Sequence, residues 1–159
     1  IRKGISNMAV TVADIKKLRE ETGAGMMDCK KALTAAEGDF VKAQEILREK
    51  SLIKADKKSD RETKEGYIAS YVHADNKTAA LVEILCETDF VALNEKLQEV
   101  AKNVAMQVVA MNPADVAELL AQDYIRDGKI TIEDLVKETS GLLGEKLVVN
   151  RFTRYEIGE

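Results

Sequence analysis

The sequence is short of the side chains that most often carry cross-links or catalysis. It holds two cysteines, Cys29 and Cys86, and a single histidine, His73. Neither cysteine belongs to a CxxC pair, which argues against a disulfide framework and against a zinc site, and a reducing compartment fits. No apolar run approaches the roughly 18 residues of a membrane span. An excess of positive charge is missing too: 24 basic against 28 acidic side chains leave a net charge of −4. That is the wrong sign for a protein whose affinity comes from neutralising phosphates, so direct nucleic-acid binding is not expected. What remains is a globular composition, 45% apolar and 33% charged over 159 residues. Such a length suits one ordinary domain, or a small module plus a core of about 100 residues.

Along the chain, residues 1–8 read as a leader or an expression remnant, because they lack the apolar stretch of a secretory signal. Residues 9–50 read as a three-helix module. Thr11 is placed as an N-cap with Asp14 three residues on, and Ile15 and Leu18 share one face. Thr22-Gly23-Ala24-Gly25 turns the chain into a helix from about Met26 to Ala36, stopped by Gly38. Asp39 then caps a third helix in which Phe40, Ala43 and Leu47 line up. Residues 51–66 read as a linker. Lys54 to Glu65 carries five positive and four negative charges and no large apolar residue, which predicts a solvated tether, at most partly helical, without firm docking.

Residues 67–159 change period. Tyr67 to His73 and Thr78 to Leu85 alternate like strands around an Asp75-Asn76-Lys77 turn, a β-hairpin. Leu93, Leu97, Val100, Val104, Val108 and Met111 recur at helical spacing and predict one amphipathic helix ended by Asn112-Pro113. Two shorter helices follow, one from Pro113 to about Arg126 and one from Thr131 as N-cap. Leu147 to Ile157 reads as a long strand able to join the hairpin. The fold class is therefore α+β, a three-stranded antiparallel sheet covered by helices.

Catalytic constellations do not survive inspection. His73 and Cys86 lie in one hairpin, but a register with His73 opposite Thr78 puts Cys86 near Glu65, roughly 26 Å from the histidine at the usual rise. They cannot share a proton, and Cys86 reads as a small buried hydrophobe. Gly23-Ala24-Gly25 joins two helices and lacks a phosphate-loop pattern, and Glu20-Glu21 read as solvating charge. No cofactor, metal ligand or enzyme activity is expected. Two features call for another account. Met26 and Met27 are adjacent at a helix start, so they cannot both face a core. Thr88-Asp89-Phe90-Val91 joins strand to helix, with Phe90 either plugging the gap beneath the helix or projecting outward.

These same residues carry a resemblance. TGAGMMDCKKAL at Thr22 to Leu33 and CETDFVALNE at Cys86 to Glu95 resemble the two signatures of the elongation factor Ts family. Likeness extends through KLREETGAG, Tyr71 and His73 of a YxH motif, and the closing RFTRYEIGE, covering nearly everything after Met8. The resemblance implies a ubiquitin-associated-like helical module joined to an α+β core, gripping the GTPase elongation factor Tu and loosening its GDP and magnesium. It implies partner contacts at Arg19, Met26, Met27 and Lys30, at Asp89 and Phe90, and at His73. Only one core subdomain follows the linker where longer members have two, which implies a homodimer that restores the covered surface. The implied location is a bacterial cytoplasm or, alternatively, an organelle matrix. A rival reading is an adaptor that uses the helical module to hold a protein without affecting nucleotides.

Overall fold

A computed structural model describes residues 9–159, and the leader expected at residues 1–8 lies outside the described residues. Contacts divide the chain between Ser51 and Leu52 into two compact units.

In the first unit, α1 (Val12–Thr22) starts from a full capping box: Asp14 N–H donates to Thr11 Oγ1 at 3.1 Å, and Thr11 N–H to the Asp14 carboxylate at 2.9 Å. Ile15 and Leu18 are buried, and Gly23 closes the helix at φ 73°, a left-handed conformation that glycine adopts without strain. α2 (Met26–Ala35) buries Cys29, Ala32 and Leu33. Asp39 Oδ1 accepts the Val41 and Lys42 amides at 3.0 and 3.1 Å and so caps α3 (Phe40–Asp56). Ala43 and Leu47 are buried as predicted, but Phe40 is only half-buried, its ring covered by the Lys17 ammonium 5.0 Å from the centroid.

The charged stretch differs from its prediction. α3 continues through Asp56, and the residues that follow it are held on the second unit by polar bonds. Lys58 is buried and donates to the Lys54 carbonyl at 2.8 Å, Lys146 Nζ donates to the Ser59 carbonyl, and Arg61 reaches both Glu87 and the Gly144 carbonyl at 3.3 Å. A count of charges misses this because a lysine stem packs like a hydrocarbon while its head finds a carbonyl.

The second unit is built on β1 (Glu65–Val72), β2 (Thr78–Cys86) and β5 (Val148–Glu156), antiparallel in the order β1-β2-β5. The predicted register holds: Glu65 pairs with Cys86, and His73 N–H donates to the Thr78 carbonyl. α5 (Glu95–Met111) lies on one face, burying Leu97, Val100, Val104 and Val108 against Ala80, Val82 and Ile84. The helix expected from Pro113 to Arg126 is shorter. α6 (Val116–Ala121) is followed by a small hairpin, β3 (Asp123–Tyr124) with β4 (Asp127–Thr131), before α7 (Ile132–Leu143). Buried Gln107 of α5 fastens that hairpin, donating to Gln122 Oε1 and the Asp123 carbonyl and accepting the Ile125 amide at 3.0 Å. The molecule is thus α+β, as its periodicities predict. Gly66 is closely packed against β2, since a Cβ there would lie 2.6 Å from the Ile84 carbonyl oxygen. Gly66→Ala is expected to cost roughly 1 to 3 kcal/mol by displacing β1, and urea unfolding at an unchanged midpoint would refute this.

Candidate partner-binding site

The connector between β2 and α5 is where sequence and structure converge. β2 ends at Cys86, whose buried S–H donates to the Thr88 carbonyl at 3.2 Å. Burial above all, with the Glu145 charge nearby, pushes that thiol up from its ordinary pKa, so a thiolate nucleophile is disfavoured. Thr88 then caps a single turn, α4 (Asp89–Ala92), by accepting the Val91 amide at 3.4 Å. Ala92 faces inward and is buried, whereas Phe90 stands 85% exposed and Asp89 is exposed beside it. The core-plug alternative for Phe90 is ruled out by that exposure.

The turn does not hang loose. Glu145, in the loop after α7, receives the Glu87 and Thr88 amides on Oε2, both at 3.0 Å, and the Thr88 hydroxyl on Oε1 at 2.5 Å. In return the Glu87 carboxylate accepts the Lys146 amide at 2.8 Å and Arg61 at 3.3 Å. The Lys146 amide, with Arg61 next, holds the Glu87 carboxyl below the usual glutamate range. Gly144, left-handed at φ 75°, ends α7 so that the chain can present Glu145, and Ser140 Oγ fastens the Glu145 carbonyl at 2.6 Å. Two strand ends are therefore laced together beneath Phe90. No sequence signal pointed to Glu145, which lies far along the chain from the motif it supports.

Leu93 departs from prediction. Assigned to the stripe of the long helix, it is instead 76% exposed at the end of α4, because Asn94 breaks the helix and caps α5 by accepting the Lys96 amide at 2.9 Å. The Leu-Asn-Glu order carried that signal: asparagine followed by an acid is a helix start.

The other predicted contacts fall into two groups. On the first unit Met26 is half-buried and Met27 is 62% exposed, resolving the paired methionines as their adjacency requires. Lys30 is exposed on α2, three residues from Met27 and hence on its face, and Arg19 is exposed in the last turn of α1. On the second unit His73 is exposed at the hairpin end of β1, its Nδ1 3.4 Å from Tyr71 Oη. The register sets it a strand length away from Cys86, roughly 26 Å at the usual rise, and the connector bearing Phe90 leaves β2 at that far end. Among the described residues, no three His, Cys, Asp or Glu side chains are grouped to hold a metal, and no helix is long and apolar enough to cross a membrane.

Comparison with known proteins agrees with this motif. A family model described as elongation factor TS matches residues 6–119 and 87–159. The chain is 44% identical over 196 aligned positions to elongation factor Ts of Nitratidesulfovibrio vulgaris, covering 95% of the chain and 98% of that protein. It is 42% identical to elongation factor Ts of Oleidesulfovibrio alaskensis, over 94% of the chain and 98% of the relative. To the chloroplastic elongation factor Ts of Rhodomonas salina it is also 42% identical, over 94% and 90%. With its signature connector intact and nearly its whole length aligned, the chain belongs to the elongation factor Ts family of translation factors.

Proposed function

We propose that this chain is a guanine-nucleotide exchange factor: it binds elongation factor Tu and promotes release of GDP and magnesium so that GTP can rebind, without catalysing any bond change itself. The observation that carries this reading is Phe90, a large apolar side chain held in solvent on a laced connector within the family's TDFV motif. An exchange factor works by binding the nucleotide-free GTPase more tightly than the loaded one, and the coupling is reciprocal. Weakening nucleotide a thousandfold requires about 4 kcal/mol. One buried Phe supplies roughly 1.5 to 3 kcal/mol, so a second foothold is needed. Exposed Met27, Lys30 and Arg19, with half-buried Met26, offer it on the helical module, while Asp89 flanks Phe90 and His73 stands apart as a third contact.

The test is release of a fluorescent GDP analogue from elongation factor Tu. Acceleration by substoichiometric amounts of the chain is the expected result. An unchanged rate would favour the adaptor reading. Chloroplastic relatives stand beside bacterial ones, so an organelle matrix is the alternative to bacterial cytoplasm as the site of action.

The working form in this reading is a homodimer. Ile68, Val72, Leu81 and Tyr155 are exposed on the sheet face opposite α5, an apolar surface that a second copy would cover. Light scattering is expected to give twice the 17.6 kDa chain mass, and a monomer at micromolar concentration would remove the idea.

A further inference from the structure

Leu93 does nothing for the fold that its exposure would allow. Its neighbours in sequence pack inward, Ala92 buried and Val91 half-buried, while Phe90 and Leu93, three residues apart on the one turn of α4, lie on its outer side. The position is fixed by backbone bonds. Leu93 N–H donates to the Asp89 carbonyl at 3.1 Å and Asn94 N–H to the Val91 carbonyl at 3.0 Å, after which extended Asn94 (ψ 130°) starts α5. Leu93 therefore cannot join the α5 stripe without undoing a cap. Single exposed leucines are ordinary, but two adjoining large apolar side chains on a laced connector make a patch.

We propose that Leu93 is a second apolar anchor for the GTPase, so that the surface receiving Phe90 has two adjoining apolar recesses one helical turn apart. This rests on the exchange-factor reading above. In sequence the pair is flanked by exposed Asp89 and Glu95, with exposed Lys96 next to the latter, and the two acids favour a receiving surface with basic groups at its rim. A partner that met only Phe90 would leave Leu93 in water at the edge of the contact, where a polar residue would serve better. Leucine at this place suits a recess rather than a rim.

The experiment uses the full chain with Leu93→Ala, Leu93→Lys and Leu93→Met, measuring binding to nucleotide-free elongation factor Tu, stimulated GDP release and thermal melting. Leu93→Ala is expected to weaken binding about fivefold and Leu93→Lys more, by analogy with other interface anchors. Leu93→Met should retain most of the affinity, and none of the three should lower the melting temperature. Wild-type affinity in both Leu93→Ala and Leu93→Lys, alongside a Phe90→Ala defect, would overturn the second anchor and leave the exchange reading standing. A lower melting temperature in all three variants would also overturn it, by assigning Leu93 to the fold. A wild-type chain without effect on GDP release would remove both readings together.

Discussion

Phe90→Ala is expected to slow stimulated GDP release at least tenfold while the melting temperature stays within about 2 °C of the parent protein. The two halves of this result have separate causes. A side chain that is 85% exposed has little burial to lose, so truncating it leaves no cavity and removes few contacts from the fold. On a partner the same ring would be desolvated, worth roughly 1.5 to 3 kcal/mol, and tenfold corresponds to only about 1.4 kcal/mol. The threshold is conservative for that reason. Melting and GDP release measured on one preparation decide it. Full exchange activity would show that the ring is not the contact, and a melting temperature lowered by more than about 5 °C would show that it supports the fold.

Glu145→Ala is expected to fail in both respects. Three donors lose a charged acceptor at once: the Glu87 and Thr88 amides and the Thr88 hydroxyl. Hydrogen bonds to charged groups are worth about 1.5 to 3 kcal/mol each, but water can replace part of that at this partly exposed site, so a total loss of about 3 kcal/mol is expected. That leaves the protein folded at 25 °C if its stability is about 5 kcal/mol or more, as is usual for globular domains. Exchange should nonetheless fall tenfold or more in the folded variant, because a loosened connector must be ordered on binding at about 1 to 2 kcal/mol per residue. Glu145→Gln, which keeps an acceptor oxygen, should fall between the two. Undiminished exchange by folded Glu145→Ala would show that the lacing is irrelevant to partner binding.

How far the sequence could be read depended on how local each feature is. The Thr11 and Thr131 caps, the Cys86-to-Glu65 register and the stripe from Leu97 to Val108 all follow from spacing within one element or one hairpin, and all are found. Leu93 reads as part of the stripe because it falls four residues before Leu97, so the apolar period runs back past the point where Asn94 starts the helix. The β3-β4 hairpin is hidden in the sequence because its strands are too short to show alternation and its turn, Ile125-Arg126, holds none of the glycine, asparagine or aspartate that marks a tight turn. What holds it, the Gln107 amide, is a tertiary interaction that no local pattern signals. From sequence alone Phe90 fits either a plug or a projection. Its exposure follows from the direction of one turn, whose first residues are held by Glu145, a neighbour in space but far along the chain.

The strand order has a kinetic consequence. β1 and β2 are joined by a tight turn and can pair as soon as both exist, but β5 completes the sheet on the other side of β2 only after all the intervening chain from Glu87 to Leu147 has been gathered. Closing so large a loop is slow relative to zipping a hairpin. Glu145 and Lys146 immediately precede β5, so the Phe90 turn should acquire its order with the last strand rather than with the hairpin to which it is covalently attached. In pulse-labelled refolding, the Thr88 amide would then gain protection together with β5, later than the amides shared between β1 and β2. Partner competence would thus arrive as a late event, keeping a half-folded chain from presenting its apolar tip in a binding-ready shape.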